Sequence, residues 1–93
     1  MNGKLVCYTL GKISSTLRNK FKRELLGYKD HSNMGKYNYE RRGILSKIPN
    51  YRPIRSVIII KEKDKNKIIS LLKRYKARYA TFDVKVNENL LKI

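Results

Sequence analysis

The 93 residues carry 23 Lys and Arg against 7 Asp and Glu, a formal net charge of +16, with 41% hydrophobic residues and one cysteine. That length and apolar content suit a single modest core and exclude a multidomain enzyme. Cys7 has no partner, which excludes a disulfide framework and a cysteine-built zinc site. Residues 1–93 are therefore expected to form one small basic domain. No apolar run approaches the roughly 18 residues of a membrane span, and Lys and Arg interrupt the N-terminal stretch, so the expected location is cytoplasmic.

The first expected element is a strand over Lys4 to Leu10, nearly continuous in apolar character. After Gly11, Ser14 and Ser15 offer N-cap hydroxyls, and Leu17, Phe21 and Leu25 recur at helical spacing, with Gly27 as the stop signal. The stretch from Tyr28 to Met34 contains Asp30, Ser32 and Asn33 and reads as a loop. Tyr37 to Arg41 alternates as a short edge strand would, and Ile44 to Ile48 could prolong it or form one helical turn. Pro49 and Pro53 are expected to interrupt pairing as far as Arg55.

Ser56 to Lys61 holds four successive β-branched residues and reads as a central strand. Asp64 is the expected N-cap of a second helix whose buried stripe is Ile68, Leu71, Leu72 and Tyr75, with Lys73, Arg74, Lys76 and Arg78 at its end. Ala80, Phe82, Val84 and Val86 then alternate with polar or larger residues as in a one-sided strand. A short C-terminal tail, 87–93, holds Leu90, Leu91 and Ile93 and is apolar enough to fold back. The expected core is Leu17, Phe21, Leu25, Ile59, Leu72 and Phe82.

The order strand, helix, strand, strand, helix, strand, with the first and third strands most apolar, predicts an α+β, ferredoxin-like split βαβ sandwich. Two helices would cover one face of a four-stranded antiparallel sheet. The RNA-recognition-motif family has this topology, but its aromatic signature finds a counterpart only in Tyr8. The strand 55–61 has no aromatic residue, so that family's stacking on the sheet is not carried over.

A threefold excess of bases over acids repels itself unless a polyanion relieves it, so the expected partner is nucleic acid, RNA before DNA, with no membrane role. The segment 28–55, an expected loop and edge strand, interleaves Tyr with Lys and Arg, offering rings for unstacked bases and cations for phosphates. The candidate contacts are Lys29, Lys36, Tyr37, Tyr39, Arg41, Arg42, Lys47, Tyr51, Arg52 and Arg55, joined by Arg18 and Lys22 on the first helix. They suit an RNA-binding protein, a ribonucleoprotein component among the possibilities.

A duplex-DNA or chromatin-type binder is the alternative from the same charge. An enzyme is the less favoured reading. A metal-independent ribonuclease could use His31 as base, with Lys36 and Tyr37 as its other catalytic candidates. No metal site or cofactor motif is present in the sequence. Uncovered edge strands leave a homodimer open.

Overall fold

The computed structural model describes residues 1–32 and 37–92, with backbone alone for residues 30–32 and 37–39. In chain order the elements are β1 (Asn2–Thr9), α1 (Ser15–Leu26), β2 (Gly27–Ser32), β3 (Tyr37–Arg42), β4 (Asn50–Ile54), β5 (Val57–Lys61), α2 (Lys65–Arg74) and β6 (Arg78–Lys85). Four strands form one antiparallel sheet in the order β4-β5-β1-β6, and β2 and β3 form a separate hairpin.

The β-branched run of β5 lies beside β1 at the sheet's centre, with Val6 opposite Ile58 and Lys4 opposite Ile60. Directly opposed residues share a face. Val6, Ile58 and Ile60 therefore point together, into a core with Phe21 and Leu25 of α1 and Ile68, Leu71 and Leu72 of α2. Both helices pack on that one face. Phe21 is held by two rings, Tyr8 at 5.5 Å and Tyr75 at 5.4 Å between centroids. The second helix keeps its expected stripe, and the tail does fold back: Leu91 is buried and the Lys92 carbonyl accepts from the Asn50 amide at 3.1 Å.

Several expectations are corrected. Residues 27–32 are a strand, because each pairs with a residue of 37–42 and this cross-strand ladder outweighs their turn-forming composition. Tyr37 to Arg41 is thus a hairpin strand and not an edge of the main sheet. That edge is β4, where pairing was expected to fail. The register shifts between Tyr51 and Ile54, and this irregularity accommodates Pro53, which has no amide to donate.

The core list changes for the same geometric reasons. Phe21, Leu25 and Leu72 are buried, but Leu17 is 45% exposed on the first turn of α1 and Phe82 is 56% exposed. Ile59 is only half-buried, since the strand alternation gives the core to Ile58 and Ile60. Asp64 stands before α2 in helical conformation, and its side chain makes no capping bond. It is buried, with Lys67 3.4 Å away.

The hairpin leaves α1 through a close backbone approach. Gly27 takes φ +82°, and a Cβ on Gly43 would collide with the Gly27 amide nitrogen and lie 2.6 Å from the Leu25 carbonyl oxygen. Gly43→Ala should therefore destabilise the chain by about 1–3 kcal/mol, as overpacking against backbone does. Urea unfolding checks this, and an unchanged midpoint would mean that the hairpin base is looser than described.

Candidate nucleic-acid interface

At the end of the sheet where β1 leaves for α1, the chain passes through Leu10 and Gly11, the latter at φ +65°. Arg18 donates from Nη2 to the Gly11 carbonyl at 2.7 Å, and the Ser14 hydroxyl accepts from the Leu17 amide at 3.2 Å. These bonds pin the start of α1, whose first turn carries no acid. The helix flanks then face two clefts.

The first cleft, about 380 Å³, is lined by Tyr8, Phe21 and Leu25 and by four cations, Arg18, Lys22, Arg52 and Arg55, with no acid among the described residues. The Tyr8 hydroxyl donates to the Arg55 carbonyl at 3.3 Å. Burial raises the pKa of Tyr8, and the charge of Arg52 pulls against that rise.

The second cleft, about 960 Å³, has an apolar lining of Leu10, Ile13, Leu17 and Tyr75. Around it stand Lys12, Lys20, Arg74, Lys76 and Arg78. Glu24, the acid among its described lining residues, is engaged by Arg74 at 3.1 Å. Thr9 and Leu10 line both clefts, so the two meet at the β1–α1 junction. A third hollow at the hairpin base, about 430 Å³, brings Lys29, Arg41 and Arg42 around Tyr28 and Glu40 and adjoins the first through Leu26.

The structure thus gathers Arg18, Lys22, Arg52 and Arg55 at one place and Lys29, Arg41 and Arg42 at a neighbouring one. Lys47 is exposed at the end of the 3₁₀ turn Ile44–Ser46. Tyr51, 41% exposed, opposes Ile59 on the sheet face away from the helices and is not part of these clefts. Tyr28 holds the Arg23 guanidinium 4.7 Å from its ring centroid, so part of its π-face is already occupied. The backbones of Tyr37 and Tyr39 pair with Ser32 and Asp30. Lys36 and the side chains of His31, Tyr37 and Tyr39 lie outside the described residues, and the proposed catalytic trio with them.

Sequence reasoning missed Lys12, Lys20, Arg74, Lys76 and Arg78 as one group. The cluster closing α2 is visible in the sequence, but its meeting with the loop after β1 depends on β1 and β6 being neighbours. Among the described residues no group of three or more His, Cys, Asp or Glu could hold a metal ion, and no helix is long and apolar enough to cross a membrane.

Burial also raises the pKa of Tyr75, and the nearby Glu24 carboxylate adds to the rise. For both Tyr8 and Tyr75 the folded chain favours the neutral ring. Their contribution to stability is present below the ordinary tyrosine range, about pH 10, and is lost as pH rises through the raised values. Unfolding measured from about pH 9 to 12 should show falling stability, and Tyr8→Phe should flatten part of that fall.

No family model, curated protein or solved structure matches this chain.

Proposed function

We propose that this chain binds single-stranded nucleic acid, with RNA favoured over DNA, as a component of a ribonucleoprotein. The observation that carries the reading is the acid-free cleft in which Arg18, Lys22, Arg52 and Arg55 converge over Tyr8. Four cations drawn from β4, the β4–β5 turn and α1 repel one another in the free protein, and a phosphate backbone relieves that repulsion. The adjoining basic cleft extends the track across the β1–α1 junction.

The shape favours a single strand. A duplex is gripped by an element that protrudes into its groove, whereas these cations line concavities that suit phosphates and an unstacked base. The four-stranded sheet is read here as a ferredoxin-like sandwich in which β4 takes the second-strand place and the β2–β3 hairpin is an insertion before it.

Competition of single-stranded RNA, double-stranded RNA and duplex DNA for the purified chain at one stated salt tests the proposal. Single-stranded RNA should compete best. Preference for duplex DNA would replace this reading with the chromatin-type one.

A further inference from the structure

The face of the main sheet that the helices leave open is apolar from edge to edge. Opposed residues place Tyr51, Ile59, Leu5 and Phe82 in one row across β4, β5, β1 and β6. Ile54, Val57, Cys7 and Ala80 form the next row. Ile54 is 65% and Phe82 56% exposed, and Leu5 and Ile59 are half-buried with no second layer over them among the described elements. Between the end pairs Gly3–Lys61 and Thr9–Arg78 the register puts no charged side chain on this face. An antiparallel sheet with one solvated face ordinarily alternates apolar with polar residues, and this one does not.

From this we infer that the open face is the contact surface of a homodimer, covered by the same face of a second copy. The order of the row supplies the argument. A two-fold axis parallel to the strands, between β5 and β1, lays β4 over the partner's β6 and β5 over the partner's β1. Tyr51 then meets Phe82 of the second copy, Ile59 meets Leu5, and the reciprocal contacts follow by symmetry.

The area is sufficient. Four strands about 4.8 Å apart and five residues about 3.4 Å apart give a patch of roughly 19 by 17 Å. Flat, two such faces cover roughly 650 Å², and side-chain relief raises this to about the 1,000 Å² that a biological interface should clear. Nucleic acid is a poor occupant, because the aliphatic centre offers base edges no donor or acceptor and phosphates no cation. The β4 edge is also a poorer dimer contact than the face: it carries Pro53 and an irregular register, and its Asn50 amide is already taken by Lys92.

The inference stands on the sheet register and is independent of the nucleic-acid reading. The dimer joins two chains of net charge +16 through an uncharged patch, so added salt should tighten it by screening their repulsion. Nucleic-acid binding responds in the opposite sense.

Sedimentation of the nucleic-acid-free chain at micromolar concentrations, in low and high salt, should show twice the chain mass, more so in high salt. Tyr51→Asp and Phe82→Lys should each be monomeric while retaining the native circular dichroism, since both positions are exposed in the single chain. An equimolar mixture of the two variants should dimerise again. In that pair the introduced carboxylate faces the introduced ammonium, and the other aromatic contact is intact. Overturning results are a wild-type chain that remains monomeric in high salt, a dimer indifferent to both variants, or variants that never reassociate when mixed.

Discussion

Arg52→Glu combined with Arg55→Glu should weaken single-stranded RNA binding by about 10²- to 10³-fold. Each charge-assisted contact to a phosphate contributes roughly 1.5–2 kcal/mol, and every 1.4 kcal/mol is tenfold in affinity. The two side chains stand in the acid-free cleft with Arg18 and Lys22, so reversing them puts two carboxylates where the phosphate track passes. The matched control is Lys63→Glu with Lys85→Glu. It changes the net charge by the same amount but acts near the opposite end of the sheet, where Asn2 pairs with Lys85 and Gly3 with Lys61. A loss of only a few-fold is expected there. Equal losses from both pairs would mean that binding reads the diffuse charge of the chain and not this cleft.

Phe21→Ala should destabilise the fold by about 3–5 kcal/mol, the usual cost of deleting a buried aromatic ring when the site cannot collapse. Phe21 is 1% exposed and wedged between Tyr8 and Tyr75, so its loss opens a cavity between α1, β1 and the end of α2. For a chain of this size that is a large part of the total stability. Leu17→Ala on the same helix should cost under about 1 kcal/mol, because Leu17 is largely exposed at the cleft. Urea midpoints distinguish the two. Similar shifts for both variants would show that the helix is rotated from the orientation described.

The contrast between Phe21 and Leu17 shows where sequence reading worked and where it stopped. Local signals were legible: the Ser14 cap, the Gly27 stop, the β-branched run of β5 and the stripe of α2 all stand where the residues placed them. What depended on distant partners was not. Residues 27–32 look like a loop until 37–42 arrive as a ladder, and Pro53 looks like a break until a register shift absorbs it. Phe82 lies in a clean alternating pattern, but alternation does not say which face the helices cover. The same limit applies to the site. Arg52 and Arg55 were legible as interleaved cations, whereas their meeting with Arg18 and Lys22 is a product of α1 lying across the sheet.

Phosphate binding by the basic clefts is tested most directly by the salt dependence of single-stranded RNA binding. If the basic clefts track about five phosphates, log Kobs should fall linearly with log salt at a slope near −3.5, and Arg52→Glu with Arg55→Glu should make that slope shallower. A flat response, or a slope untouched by the two reversals, would mean that these clefts do not hold the phosphate backbone.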